Sequence, residues 1–258
     1  MSVYTTEIAS DVIASDNPIH QRLLKAYYLS LEYISGDVLE VGCGEGRGVE
    51  LVAPKANTFT GIDKIPQVID NLRSSYPDGD FRQVVIPPFS GLEDNSYDVV
   101  ISFQVIEHVK KDLEYLKEIY RVLKPGGKAL VTTPNIKMSL SRNPWHIREY
   151  TAEELAALAK RVSSKVEMLG ISGNEKVMAY YDDNRKSVNN MMKWDVLNLQ
   201  YRLPAFMLKI PYEILNRINR NKLDSGDNGL ASQIHHSDYL LSNEPETSLD
   251  LFCVLEKP

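Results

Sequence analysis

Short apolar runs alternate with amphipathic stretches along the first half of the chain. Val38-Leu39-Glu40-Val41 runs into Gly42-Cys43-Gly44-Glu45-Gly46-Arg47-Gly48, and Val49-Glu50-Leu51-Val52-Ala53 follows with helix-like spacing. That order predicts a strand, a tight loop and a helix N-terminus. Ahead of it, Ile19, Leu23, Tyr27, Leu31 and Ile34 recur at near-helical intervals from Pro18 to Ser35-Gly36, which predicts a helix laid against the first strand. Residues 58–63 read as a second strand ending in Asp63, about 66–74 as a helix closed by Tyr76-Pro77-Asp78-Gly79, and 81–85 as a third strand. A fourth strand begins at Tyr97-Asp98, and its continuous run Val99-Val100-Ile101 is that of a buried parallel strand. A helix opening at Glu107-His108 and carrying Leu113, Leu116, Ile119 and Leu123 stops at Lys124-Pro125-Gly126-Gly127, and 128–133 form a fifth strand.

Strands that alternate with helices predict an α/β fold built on a mostly parallel sheet. In the second half, Thr151 with Glu154 three residues on forms a capping box ahead of a helix from Ala152 to Arg161. A sixth strand follows at 165–171, and 249–255 make the last. Between them lies an insertion at about 178–237, too long for an ordinary loop. It is rich in Met and Leu, is interrupted by Pro204 and Pro211, and carries Arg185, Lys186, Lys193, Arg202, Lys209, Arg217, Arg220 and Lys222. Two or three short helices over the site mouth are expected there, acting as a lid, with a homodimer contact or a peripheral membrane contact through 185–222 as alternatives. The expected organisation is a flexible arm at 1–17, a core at 18–177 and 238–258, and a helical cap at 178–237.

A length of 258 residues admits one large α/β domain or two small ones. The formal charge of -6 argues against a nonspecific nucleic-acid binder. Two cysteines, Cys43 and Cys253, make neither a disulfide framework nor a zinc cluster and suit a reducing compartment. No apolar run approaches the roughly 20 residues of a membrane span, and no leader pattern opens the chain, so a cytoplasmic location is expected.

Chemistry concentrates at the glycine loop. Placing a Gly-x-Gly-x-x-Gly dinucleotide fingerprint on Gly42 and Gly44 puts Arg47 where the third glycine belongs, which disfavours a nicotinamide-dependent oxidoreductase. What fits is Glu40 followed by Gly42, Gly44 and Gly46. An acid about twenty residues beyond such a loop, here Asp63, can accept hydrogen bonds from both hydroxyls of an adenosine ribose. The loop, Asp63, the Asp98 strand, Glu107-His108 and Leu123-Lys124-Pro125-Gly126-Gly127 together resemble the class I S-adenosylmethionine (SAM)-dependent methyltransferases over about residues 18–135.

That resemblance implies a Rossmann-like, seven-stranded sheet, mostly parallel, with an antiparallel last strand beside the fifth, and SAM as cofactor. It implies that the loop, Cys43 included, wraps the methionine moiety while Glu40 holds its ammonium group. Phe103 and Gln104 then form the cofactor-facing end of the fourth strand. Where the family carries an acid for the adenine amino group, this chain has Gln83 beside Val84; a glutamine carbonyl can also accept, and a surface glutamine accounts equally for it. His20-x-Arg22 resembles a segment whose arginine meets the SAM carboxylate, and a solvated helix face accounts equally for Arg22.

His146, Arg148 and Tyr150 sit on the loop after the fifth strand, where open α/β sheets line their ligand crevice. Their His-x-Arg-x-Tyr pattern resembles quinone-, glycan- and lipid-directed members of the family, which makes them the candidate substrate residues; a loop pinned by Trp145 packing and an Arg-Glu pair is the structural alternative. Candidate bases are His146 and His108, with His235 or His236 behind them. Related quinone O-methyltransferases hold a divalent ion with Glu-x-x-Glu-His, but the first acid is Gln104 here, so no metal is expected. The expected activity is methyl transfer to an oxygen of a small, sugar-linked or lipid-linked acceptor. N- or C-methylation, or a non-catalytic SAM-binding protein whose insertion docks a partner, are the rivals.

Overall fold

Eight strands share one sheet in a computed structural model that describes residues 14–193, 195, 198–226 and 230–258. The chain begins with α1 (Asn17–Ser30), whose first turn holds Pro18, followed by β1 (Asp37–Val41), α2 (Val49–Val52), β2 (Thr58–Asp63), α3 (Pro66–Ser75) and β3 (Asp80–Gln83). β4 (Tyr97–Phe103) leads through one 3-10 turn at Ile106–His108 to α4 (Asp112–Val122) and β5 (Leu123–Pro134). Then come α5 (Ala152–Lys160), β6 (Lys165–Gly173), α6 (Glu175–Met192), α7 (Leu199–Arg202), α8 (Ala205–Gly226), β7 (Tyr239–Ser242) and β8 (Asp250–Glu256).

The strand order is β3-β2-β1-β4-β5-β8-β6-β7. β1 to β5 pair in parallel, and β8 runs antiparallel between β5 and β6. The order turns back on itself at β1, which has β2 on one side and β4 on the other, so a crevice opens beyond the carboxyl ends of β1 and β4. Period-2 alternation divides the strands between two cores. Leu39, Val41, Val100 and Val131 face α4 and α5, whereas Val38, Val99, Ile101 and Leu130 face α1 and α6. A third cluster, Cys43, Val49, Ile69, Leu72 and Phe81, packs beneath the glycine loop. This is the Rossmann-like sheet that the resemblance implies, with an antiparallel last strand and a helical insertion.

Four expectations are corrected. The sheet has eight strands rather than seven, because β7 adds an antiparallel edge to β6; its four residues include the exposed Leu240 and Leu241 and carry no core-facing run by which to recognise them. The helix placed at Glu107-His108 is only a 3-10 turn there, and α4 starts at Asp112. The insertion is built on two long helices, α6 and α8, with Pro211 inside α8 rather than at a break. Inner-face contacts carry α8 past the proline: Asn219 Nδ2 donates to Asn184 Oδ1 of α6 at 2.7 Å, and Arg217 and Arg220 each reach Asp16 Oδ1 at 2.9 Å.

That Asp16, 1% exposed, also revises the expected arm. Residues 14–16 form a 3-10 turn locked to α8, while 1–13 lie outside the described residues. Two of the insertion's arginines therefore point inward, and Lys209 lies 3.4 Å above the Trp145 ring. The Thr151–Glu154 capping box forms both of its hydrogen bonds. Among the described residues, no helix is long and apolar enough to cross a membrane.

Candidate functional site

β1 delivers Glu40 to the crevice with 2% exposure. The Tyr27 hydroxyl of α1 donates to Glu40 Oε1 at 2.6 Å, while Oε2 is buried with no hydrogen-bond partner. Burial pushes the Glu40 carboxyl up to about 7, against the opposing pull of the Tyr27 hydrogen bond and of Arg47. The loop after it turns through φ values of +75°, +50° and +82° at Gly42, Gly44 and Gly46. A Cβ on Gly42 would lie 2.5 Å from Val105 Cγ2, and one on Gly46 would lie 2.5 Å from Leu72 Cδ2; one on Gly44 would meet nothing within 4 Å. The loop thus bares its backbone to open space at Gly44.

Asp63 closes the other side. Its Oδ2 accepts from the Gly44 N–H at 3.1 Å and its Oδ1 from the Ile65 N–H at 2.9 Å. Cys43 turns its side chain into the core, where burial holds the thiol protonated, so what it offers the loop is backbone. Gln83 is exposed at the end of β3, its Nε2 3.4 Å from Lys64 O, and the buried Val84 donates its N–H to Asp63 O. Phe103 meets Tyr27 edge to face at 4.9 Å. Gln104 takes a left-handed φ of +58° at the end of β4, an uncommon conformation for a side-chain-bearing residue. These residues fit a sulfonium nucleoside with an amino-acid tail. The orphaned Glu40 oxygen is an acceptor for an ammonium group, the loop has space for close approach, and the Asp63 oxygens keep lone pairs for hydroxyls.

Beside this cradle lies a cavity of about 260 Å³ framed by α1, the Gln104–His108 segment, the 134–149 loop, α6 and α8. The two are neighbours: Val105 stands against Gly42, and the residue before it, Gln104, lines the cavity. Arg22 lies on the wall with its Nε 3.2 Å from Asp250 Oδ2. Asp250 is fully enclosed, and burial raises its carboxyl pKa with Arg22 opposing.

His146 projects into the cavity in a defined tautomer. Asn143 Oδ1 accepts from the Trp145 N–H at 3.0 Å, which turns Asn143 Nδ2 toward His146 Nε2 at 2.8 Å. Nε2 is therefore the acceptor nitrogen, and Nδ1 carries the proton it donates to Glu149 Oε1 at 2.6 Å. Glu149 is held in turn by Ser139 Oγ. His108 Nδ1 lies 2.9 Å from Trp145 O, a bond in which the ring nitrogen must donate, and burial with His146 alongside pushes the His108 pKa down to about 4. Glu107 is buried, with Thr133 Oγ1 donating to its Oε2 at 3.0 Å, and burial pushes it up to about 7.

Glu107, His108 and His146 each offer one donor atom within 4.8 Å of the others, a grouping that the expectation of no metal did not foresee. Asn143 and Glu149 engage both ring nitrogens of His146, and Trp145 engages one of His108. The grouping is a hydrogen-bonded polar cluster whose donors would have to be released to coordinate an ion.

Arg148 and Tyr150 do not join His146. The Ile147 and Arg148 N–H groups both donate to Glu107 O, at 2.8 and 3.2 Å, which bends the loop so that His146 and Glu149 share the cavity side. Tyr150 is fully buried with its hydroxyl on Asp112 Oδ2 at 3.0 Å, and Arg148 lies over the Tyr150 ring with Nη1 3.3 Å from the same oxygen. Both brace α4. His235 and His236 also lie off the cavity; His236 stacks on Tyr28 at 3.8 Å. Sequence reasoning missed Tyr27, Asn143, Glu149 and Asp250. The Asn-x-x-His-x-x-Glu spacing of 143, 146 and 149 and the lone acid inside the apolar 249–255 run were the available signals.

Residues 39–131 match a family model described as a methyltransferase domain, and residues 89–178 match that of the ubiE/COQ5 methyltransferase family. The chain is 43% identical over 136 residues to a probable S-adenosylmethionine-dependent methyltransferase of Mycolicibacterium smegmatis, a match covering 51% of this chain and 52% of that one. It is 33% identical over 111 residues to a ubiquinone biosynthesis O-methyltransferase of Pseudomonas entomophila, covering 42% and 45% respectively. The chain spans about half the length of the curated relatives it matches. Similar solved structures include the [4+2]-cyclase SpnF, with a TM-score of 0.55 at 19% identity over 91% of this chain and 81% of that one. A SAM-dependent methyltransferase from Thermotoga maritima, described as a possible histamine N-methyltransferase, also gives 0.55, at 15% identity over 92% and 91%. Likeness at such identities speaks for the fold alone.

Proposed function

We propose that this chain, which belongs to the class I SAM-dependent methyltransferase family, moves the methyl group of SAM to an oxygen of a lipid- or sugar-linked acceptor. When bound, SAM supplies an electrophilic methyl group on a sulfonium. Gly42, Gly44 and Gly46 with Glu40 and Asp63 would hold it, and Arg22 and Gln104 stand where the cradle meets the cavity.

One observation carries the oxygen assignment: His146 presents an acceptor nitrogen in the cavity, fixed by Glu149 behind it. A hydroxyl is a poor nucleophile until its proton is shared, and a neutral imidazole backed by a carboxylate is suited to take that proton. Asn143 Nδ2 occupies the Nε2 lone pair here, and an incoming hydroxyl replaces that contact. The proton moves from the acceptor oxygen to Nε2 as the oxygen attacks, and Glu149 stabilises the imidazolium until the proton passes to solvent. The enclosing walls keep the acceptor oriented, the protein's main contribution to an in-line displacement. The family match to ubiE/COQ5 and the likeness to an O-methyltransferase support the acceptor class.

The test is S-adenosylhomocysteine formation with a panel of hydroxylated lipid and glycolipid acceptors, for the native chain and His146→Gln. Expected is turnover that falls by about a hundredfold or more in the variant while S-adenosylhomocysteine affinity is unchanged. Turnover confined to amine acceptors, or full activity in His146→Gln, would remove the oxygen assignment.

A further inference from the structure

Behind the polar cavity, the insertion forms a second one of about 550 Å³, open to solvent on one side and within the usual range of small-molecule sites. Its walls are chiefly Met191, Met192, Leu199, Leu203, Leu208 and Leu215. Several polar groups at its border are paired: Arg142 Nη1 donates to the carbonyls of Gln200 and Leu203, and Asp195 accepts from the Leu199 and Gln200 amides, while Asn219 Oδ1 is buried with no hydrogen-bond partner. An apolar surface remains. The two cavities share Ser141, Val188, Tyr212 and Asn216, so one opens toward the other. At that seam Asn216 Nδ2 is buried with no hydrogen-bond partner, a donor placed for the polar end of whatever crosses.

The outside of the same helix is also apolar. Phe206, Ile210, Ile214 and Ile218 recur every fourth residue on α8 and are 73%, 70%, 55% and 55% exposed. A stripe of that size left to water marks a contact surface. The exposed cations Arg202 and Lys222 flank it, whereas Lys209, Arg217 and Arg220 turn inward to Trp145 and Asp16. An uncharged stripe with cations at its ends is complementary to an anionic bilayer surface, with the apolar side chains reaching the acyl region.

We propose that the helical insertion is a lipid-binding element: the Met- and Leu-lined cavity takes up one long hydrocarbon chain, drawn from an anionic bilayer on which the α8 stripe rests. The seam at Tyr212 and Asn216 presents the polar end of that lipid to His146, which rests on the methyltransferase reading; the chain site itself does not.

The purified full chain is titrated with a fluorescent long-chain fatty acid and, separately, with S-adenosylhomocysteine. Expected is saturable binding of one fatty acid per chain, weakened about tenfold by Leu208→Trp, which fills the cavity, with S-adenosylhomocysteine affinity retained. Affinity should rise steadily from octanoate to the longer acids. Absence of saturable binding, an affinity indifferent to chain length, or equal binding by Leu208→Trp overturns the cavity assignment. If that variant loses S-adenosylhomocysteine affinity as well, the native chain-length series decides. Failure of the native chain to bind S-adenosylhomocysteine sinks the methyltransferase reading and leaves the fatty-acid result standing. Cosedimentation with phosphatidylglycerol vesicles should be lost when Phe206, Ile210 and Ile214 are all changed to Ser. Retained cosedimentation, or a native dimer that the triple change dissolves, overturns the bilayer contact, the latter by assigning the stripe to a second copy.

Discussion

Changing Glu40 to Gln should make the free protein more stable at alkaline pH and at the same time poorer at holding its cofactor. Glu40 is fully enclosed, and burial raises its carboxyl from 4.5 to about 7. That interval corresponds to on the order of 3 kcal/mol between the protonated and ionised forms. The folded chain holds the Glu40 proton more tightly than the unfolded chain does. Its contribution is therefore intact below pH 4.5 and is lost as pH rises through about 7. The amide that replaces the carboxyl has no such proton, so the stability gap in favour of the variant should widen by on the order of 3 kcal/mol between about pH 5 and about pH 8.

Glutamine keeps an acceptor for Tyr27 but turns an amide toward the place where Oε2 has no partner. An offset of about 1–3 kcal/mol against the variant follows, nearly constant with pH. Glu107, raised in the same way, is common to both proteins and cancels. For a chain of this size each kcal/mol moves the melting temperature by about 2–4 °C, so thermal unfolding across a pH series resolves the effect. Loss of a charge-assisted contact to the ammonium group should weaken S-adenosylhomocysteine by roughly tenfold to a hundredfold, read by calorimetry. A stability gap that stays flat across the series would falsify the burial argument.

Asp63→Ala should weaken S-adenosylhomocysteine by about tenfold or more, since it removes the ribose acceptor and frees the Gly44 and Ile65 amides that Asp63 now organises; equal affinity by calorimetry removes Asp63 from the ribose role. Tyr150→Phe should cost about 1 kcal/mol of stability through loss of its bond to Asp112 and leave the acceptor KM unchanged, because Tyr150 lies off the cavity; an altered KM would return Tyr150 to the acceptor site. The pH dependence of turnover should show no titration of His108 between about pH 5 and about pH 9, because its pKa lies near 4 and the ring is neutral throughout. A limb in that range that disappears in His108→Asn would contradict the lowering of its pKa by burial and by His146.

The cofactor half was legible because its signals are local. The glycine loop needs positive φ at fixed spacing, Asp63 terminates an apolar run, and the buried parallel strands read as continuous hydrophobic segments. The acceptor side depends on where a loop bends, and that is set by long-range bonds. His146 and Arg148 look equivalent in sequence, yet the Glu107 carbonyl captures the Ile147 and Arg148 amides and sends the two side chains to different places. Asp250 was hidden for a similar reason: its meaning comes from Arg22, a partner at the opposite end of the chain. Edge strand β7 was lost to its brevity, and the continuity of α8 through Pro211 to packing that no propensity encodes.

The placement of β8 between β5 and β6 bears on how such a chain assembles during synthesis. β1 through β5 can pair with one another as they emerge, β4 returning past β2 and β3 to reach β1. β6 meets no partner until β7 follows α6, α7 and α8, and it joins the rest of the sheet only when β8 slides in between it and β5. The same strand brings Asp250 under Arg22. A nascent polypeptide could thus shape its nucleoside cradle early, while the acceptor chamber stays unfinished until the last segment docks.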